Sequence, residues 1–553
     1  ARRLGARSAP DHDRASRSSG LMTDFDLLIE HGTIVDGTGS PGFHGAVAVS
    51  GDRLDVLRGD TSQHRARQRI DATDRVVAPG FIDLHSHSGV MIMAEPRHEP
   101  KVRQGVTTEV IGVDGNSYAP FRSVEDLRAF ARLNAGLDGL PDIPFDWSDV
   151  ASYLRRLDGG ISVNLAFLVG NTSLRIDAIG WDDEPADDLA IDRMRGLLRE
   201  SMEAGAFGIS SGLDYPPGSY ASTDELVALT GEAARLGGFY HTHVRYPLGD
   251  RYLDPFREAL EIGRRAEGPV HVTHLYHRPI YPGPPDELIG LIEAARAAGL
   301  DVTWDTYPYE WACTRLVIQL PQWVQSGGPD ATLERIADHQ VRERIREEML
   351  ALGRAYANDN PYDNIRLGYF ATPQYARWEG RTIGEFMRET GEDAVDAICD
   401  MLIAEDLRPN QVTSGPLTET LAPFLAHPLS MIGSDSTFVG DKPSPRTYGS
   451  FPRVLGEFVR ERRTMPLETA VRKMTATPAA RLGLVDRGLL RDGMKADIVV
   501  FDPETVRATA TYENPRTFPV GIDWVIVNGE VVVAGGQHTG ATPGRALRRG
   551  APE

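Results

Sequence analysis

Phe81-Ile-Asp-Leu-His-Ser-His87 decides the fold. A short apolar run ends in two histidines spaced two apart, so on an extended strand both imidazoles point the same way. Related runs follow in Phe239-Tyr-His-Thr-His-Val244 and Val270-His-Val-Thr-His-Leu-Tyr-His277. Seven of the chain's fifteen histidines fall in these three segments. Working outward, strand-like runs alternate with stretches of helical period. Gly80–His85, Thr108–Val113, Val163–Val169, Phe207–Ser210, Phe239–Val244, Val270–His274, Val302–Tyr307 and Met431–Ser434 read as strands. Ser123–Leu133, Leu189–Ala204, Thr223–Leu236, Pro255–Arg265, Asp286–Ala298 and Leu467–Met474 read as helices. Alternation of this kind predicts an α/β fold, a (β/α)8 TIM-type barrel with insertions, with a doubly wound open sheet as the alternative. In a barrel the C-terminal strand ends converge on one face, where the active site lies.

The barrel is expected over residues 80–486. Residues 315–425 are too long for one strand–helix unit and read as a mixed helical insertion. Residues 22–79 and 487–553 are β-rich. Phe25–Glu30, Thr33–Asp36, Ala46–Ser50 and Arg53–Leu57 at one end match Asp497–Phe501, Trp524–Asn528 and Glu530–Val533 at the other, all short and bounded by turn residues. They predict one small β-sandwich domain built from both chain ends. Residues 1–21 are rich in Arg and Ser, lack an apolar core, and read as a disordered or artificial extension.

Composition narrows the function. The 553 residues carry 79 acidic and 59 basic side chains, a formal net charge of −20. That balance argues against nucleic acid and anionic membranes as partners. No apolar run is long enough for a bilayer, and a cytoplasmic location is the expectation. Two cysteines, Cys313 and Cys399, exclude a disulfide scaffold and Cys-rich zinc modules. Lysine occurs only at 101, 442, 473 and 495, which limits any mechanism that needs one.

The chemistry sits at the strand ends. His85 and His87 can chelate one divalent cation. His243, nearer its strand end than His241, is the better ligand, and His241 reads as a packing or supporting residue. His274 follows its apolar run directly, whereas His271 faces the other side and His277 falls in the following loop. Asp435 ends the eighth strand, where a carboxylate beside an acidified water can act as general base and then general acid. Alone, each signal has a bland alternative, a polar strand end or a helix cap. Together, at the same end of four strands, they read as a hydrolytic metal site.

These residues lie within a longer pattern. FDLLIEHGTIVDGTG (25–39), VAPGFIDLHSH (77–87), QGVTTEVIG (104–112), GISSGLDYPP (208–217), YPY (307–309), Ile432–Asp435, FPRVL (451–455), Gly521–Asn528 and TGATPGRALRR (539–549) resemble the amidohydrolase superfamily, and within it the N-acyl-D-amino-acid deacylases (D-aminoacylases). The resemblance runs from about residue 25 to 549. It implies a metal-bearing barrel beside a small β-sandwich. His85 and His87 would hold the more exposed metal position, His243 and His274 the tighter one. Asp435 would be the catalytic acid/base and Tyr307 a hydrogen-bond donor to the tetrahedral intermediate.

Three positions depart from that family. Asp114, in Val113-Asp-Gly115, stands where relatives carry a metal-ligating cysteine. A carboxylate there keeps the charge but hardens the ligand set. Zinc stays the expected ion, one or two per chain, with manganese, cobalt or iron more credible than usual. Asp114 is expected to bind or bridge metal, in preference to a plain turn role, although Asp-Gly is also a turn signal. Tyr276 replaces a lysine that binds the substrate carboxylate: either Arg245 or Arg278 supplies that charge or the substrate lacks a free carboxylate there, and Arg245 reads equally as a surface or structural residue. Asn171 replaces a histidine. The expected enzyme is a metal-dependent hydrolase of amide C–N bonds acting on a small molecule, an N-acyl-D-amino acid first, as a homo-oligomer or alone. A hydantoinase- or dihydroorotase-like cyclic amidase is the alternative, and a non-catalytic scaffold the third reading.

Overall fold

The computed structural model describes residues 24–278, 283–355, 361–415 and 417–550. The proposed extension at 1–21 lies outside the described residues. Eight strands form one parallel sheet in chain order: Phe81–Asp83, Val106–Ile111, Asn164–Gly170, Gly208–Gly212, Phe239–His243, Val270–Val272, Val302–Thr306 and Ser430–Ile432. All eight predicted runs are strands, each shifted by three residues at most. Their side chains are buried throughout, as expected where helices cover one face of a parallel sheet and the closed interior the other. The predicted helices also form. Ser123, Asp187 and Ser222 cap three of them, accepting hydrogen bonds from the backbone N–H of Asp126, Ala190 and Glu225.

The first and eighth strands meet beyond their ends and close the barrel. A parallel bridge joins Ser86 and Ser436. Asp435 N–H donates to His85 O at 2.8 Å, and His87 N–H to Ser436 O at 3.0 Å. Side chains lock the same seam. Buried Lys101 ion-pairs with buried Asp83 and donates to Ser434 Oγ and Ser436 Oγ at 2.7 and 3.0 Å. Asp83 also accepts the backbone N–H of Ser434 at 2.9 Å. One of the chain's four lysines is therefore spent on closure.

Strands from both ends of the chain form a single mixed nine-stranded sheet. Inward side chains of its two arms, among them Leu27, Ile29, Val47, Ile70, Ile498 and Ile526, share one apolar cluster. Two details differ from expectation. Phe25–Glu30 and Thr33–Asp36 fall largely within one strand, Asp24–Ile34, broken in register near His31, where φ is 66°. Strands at Arg65–Asp71 and Val76–Pro79 also join the sheet. Arg65–Asp71 (RARQRID) has four charged residues in seven and buries only Ile70, so it lacks the apolar alternation that marks a strand.

Between the seventh and eighth barrel strands the chain builds a unit with its own apolar cluster, including Leu316, Ile336, Trp378, Phe386, Ile398 and Leu402. It is not purely helical. Trp311–Arg315, Ile365–Tyr369 and Asn410–Ser414 form an antiparallel three-stranded sheet that begins before residue 315. No helix among the described residues is long and apolar enough to cross a membrane.

Replacing Lys101 by Met leaves the Asp83 carboxylate buried without its cation, which costs about 3–5 kcal/mol. The expected result is a matching fall in urea-unfolding free energy. A loss under about 1 kcal/mol, the size of a surface pair, would show that closure does not depend on this ion pair.

Candidate metal centre and active site

Asp114 is the hub. It follows the second barrel strand with φ 51°, and Gly115 follows at φ 72°. The Asp-Gly turn and the carboxylate at the site are thus the same feature. Asp114 Oδ2 lies 3.2 Å from His85 Nε2, 3.7 Å from His87 Nε2, 3.6 Å from His243 Nδ1 and 3.9 Å from His274 Nε2. Its other oxygen, Oδ1, is buried without a hydrogen-bond partner.

Two donor groups share this carboxylate. His85, His87, Asp114 and Asp435 form one, and Asp114, His243 and His274 the other, with the donor atoms of each group within 4.8 Å of one another. All six residues are buried. This set of imidazoles and carboxylates, with one carboxylate oxygen left unsatisfied, fits divalent metal. The expected order of exposure is reversed, however. His243, His274, Asp114 and Asp435 line the adjoining cavity, and His85 and His87 sit behind them. The reason is geometric. His85 and His87 are held in the barrel closure, while His243 and His274 lie where their strands emerge.

Asp435, with φ 48°, divides its carboxylate. Oδ1 stands 3.3 Å from His87 Nε2 and 3.6 Å from His85 Nε2, while Oδ2 pairs with buried Arg446 at 2.8 Å. His274 also has positive φ, 33°. Three site residues other than glycine therefore adopt a left-handed backbone, a conformation that persists only where the surroundings enforce it.

Electrostatics follow from crowding. Burial opposes a charge on His85, but Asp114 and then Asp435 outweigh it and raise its pKa to about 10. His243 rises to about 9 against burial, through Asp114 and Asp214. His87 is raised well above the usual imidazole range, against burial, chiefly by Asp138. Burial, reinforced by His243, pushes His274 down to about 3. Asp435 falls to about 2 against burial, drawn down by Arg446 and then His85.

The cavity beside these groups has a volume of about 380 Å³, within the size range of small-molecule sites. Tyr307 lines it, fully buried, its ring 4.6 Å from the Arg446 guanidinium carbon and 5.3 Å from the Tyr276 ring. Burial and then Tyr276 push its pKa well up, so the hydroxyl keeps its proton. Tyr276 and Arg278 also line the cavity, and Arg278 Nη2 donates to the Tyr276 hydroxyl at 3.0 Å. Arg245 is not brought to it. Its guanidinium pairs with Glu258 at 3.0 Å and donates to the carbonyls of Ser219 and Ala221. Asn171 lies behind the site, donating to Gly218 O at 2.9 Å.

Other site residues were not read from the sequence. Asp138 accepts from Tyr118 at 2.8 Å and from Asn134 at 2.6 Å while holding His87 Nδ1 at 2.7 Å. Asp214 stands 3.2 Å from His243 Nε2. Asp138 ends a short helix outside every motif quoted above, and Asp214, though within GISSGLDYPP (208–217), sits in the turn after its strand, where no spacing marks its role. Arg446 could have been suspected only from its place eleven residues after Asp435. His241 and His277 lie as expected, the first packed on His271 at 5.1 Å, the second in the loop with Nε2 2.8 Å from Gly283 O. Lys101 belongs to neither donor group.

Comparison with known proteins agrees with this geometry. Residues 68–533 match the amidohydrolase family model. The chain is 35% identical to D-aminoacylase of Alcaligenes xylosoxydans xylosoxydans over 95% of its own length and 98% of the relative's. It is 35% identical to N-acyl-D-glutamate deacylase of the same organism, over 96% and 99%. N-acyl-D-glutamate deacylase of Bordetella bronchiseptica, solved with zinc and a phosphonate mimic of the tetrahedral intermediate, superposes with TM-score 0.80 at 32% identity, covering 95% of this chain and all of that one. With its metal-binding barrel and its two-ended β-sheet, the chain belongs to the amidohydrolase family, among the D-aminoacylases.

Proposed function

We propose that this metal-dependent amide hydrolase deacylates N-acyl-D-amino acids. The observation that carries the reading is the divided carboxylate of Asp435, one oxygen toward the imidazoles of the donor groups and the other on Arg446, beside a small cavity. Zinc is the proposed ion, supported by the zinc-bearing relative. His85 and His87 would hold it on one side, His243 and His274 on the other, and Asp114 would serve both.

Bound metal supplies Lewis acidity, acidifying water and polarising the amide carbonyl. The chain's own groups do the rest. Asp435 Oδ1 takes the proton from the attacking water and returns it to the leaving amine nitrogen. Arg446, on the other oxygen, fixes the orientation of that carboxylate and keeps it ionised between turnovers. Tyr307, protonated and facing the cavity, donates to the oxygen that gains charge as the carbonyl becomes tetrahedral. Arg278, beside the Tyr276 hydroxyl, takes the place of the missing lysine and binds the substrate carboxylate. Relatives equally similar to this chain act by name on different substrates, so overall identity does not choose the side chain.

The direct test is amine release from matched N-acetyl-D- and N-acetyl-L-amino acids after reconstitution with zinc, manganese or cobalt. The D series alone should react. Silence across the panel with metal bound would refute deacylation and turn attention to cyclic amides. Asp435→Asn should keep at least the His243/His274 ion and lose about 10²–10⁴-fold in kcat, the range for general acid–base groups. Turnover at the wild-type rate would remove Asp435 from proton transfer. Metal uptake should also release protons at pH 7.5. His85 and His243, raised to about 10 and 9, are protonated there without metal and must be neutral to ligate. Apparent affinity should therefore climb as pH rises toward 9, and calorimetry in buffers of different ionisation enthalpy would detect the release. Uptake without proton release would contradict ligation by these two imidazoles.

A further inference from the structure

We infer that Asp305 is a positioning residue that acts on one histidine of each donor group at once; the inference rests on the metal reading above. Asp305 lies on the seventh barrel strand, fully buried, and does not line the substrate cavity. Its two oxygens do different work. Oδ1 accepts the backbone N–H of His274 at 3.0 Å. That is the histidine whose φ is 33°. Oδ2 lies 3.7 Å from His85 Nδ1 and 3.0 Å from His271 Nε2. His85 and His274 belong to different donor groups. One carboxylate thus faces the ring of one ligand and holds the main chain of the other.

The surroundings are built for this carboxylate. Gly433, on the adjacent eighth strand segment, leaves its space, since a Cβ there would stand 2.5 Å from Asp305 Oδ1. His271 supplies the countering donor. Its Nδ1 lies 2.9 Å from Thr303 Oγ1, so the threonine hydroxyl donates to Nδ1 while Nε2–H donates to Asp305. His85 Nδ1 makes no hydrogen bond; the Asp305 carboxylate, 3.7 Å away, is the anion that faces it, and its charge makes Nε2 more basic toward the site. Partners of this kind typically change metal affinity by about 10–100-fold when removed.

A merely structural Asp305 would stabilise the barrel without tuning the metal, and cobalt separates the two roles. Asp305→Asn keeps the shape and an oxygen for His274 N–H but removes the charge facing His85. We expect both cobalt equivalents to bind about 10–100-fold more weakly. The visible cobalt spectrum should shift, and kcat should fall with KM little changed. Thr303→Val, which acts only through His271, should move the spectrum in the same direction by less, and it serves if the Asn variant does not fold. Wild-type cobalt affinity and spectrum in a folded Asp305→Asn protein would overturn the inference while leaving the metal reading intact. Absence of cobalt uptake by the wild-type protein would overturn the metal reading and the inference with it.

Discussion

Everything at the barrel mouth depends on the Asp114 carboxylate, buried among four imidazoles and near a second buried carboxylate, Asp435. Taking ionised carboxylates out of water costs several kcal/mol each unless cations face them. The chain meets this demand with imidazoles and one guanidinium. The raised pKa values of His85, His87 and His243 express the same demand: protons on those rings answer the negative charge. A divalent cation answers it with greater charge density and leaves the rings neutral, as ligation requires. Metal affinity and the burial of charge are one property of this site.

That concentration of charge is held by backbone geometry as much as by side chains. Asp114, His274 and Asp435 all carry positive φ at or just beyond strand ends. The turn lifts each side chain off the pleat and redirects it across the mouth, where an extended residue would point alternately in and out. Neighbouring contacts keep the turns in place. Asp435 N–H is tied to His85 O, and His274 N–H to Asp305. The Lys101–Asp83 pair locks the seam below them. Closure of the barrel and assembly of the site are therefore the same event at the first and eighth strands.

Much of this was legible in the sequence, for a physical reason. Strands buried on both faces become continuous apolar runs, and a ligand at the strand end interrupts the run with a histidine or aspartate. Phe81–His87 shows both in seven residues. The pairs His85/His87 and His243/His274, with Asp435, could be found that way, and Asp114 by resemblance. What was not legible depends on contacts distant in sequence. Arg245 carries the right charge near the right strand, yet Glu258 and two carbonyls hold it elsewhere. Asp138 reaches His87 from 51 residues away with no periodic signal. The relative depth of the two donor groups depends on barrel closure, which no local pattern encodes. The charged strand Arg65–Asp71 was lost because it buries a single apolar side chain.

The cavity explains how such a site can change substrate without losing its chemistry. Its inner wall, Asp114, His243, His274, Tyr307 and Asp435, comes from the barrel. Much of its outer wall, including Thr314, Gln319, Ile365, Gln411 and Thr413, comes from the inserted unit between the seventh and eighth strands. The two parts have separate apolar clusters. A substitution in the outer wall is absorbed by the inserted unit's own packing, while an equal change at the inner wall falls on buried, charge-coupled groups where neighbouring effects do not add independently. Under the proposed function, the outer wall is the part that can follow substrate shape. Arg278 and Tyr276, the residues we propose for the substrate carboxylate, line the same cavity from the βα loop that follows His274.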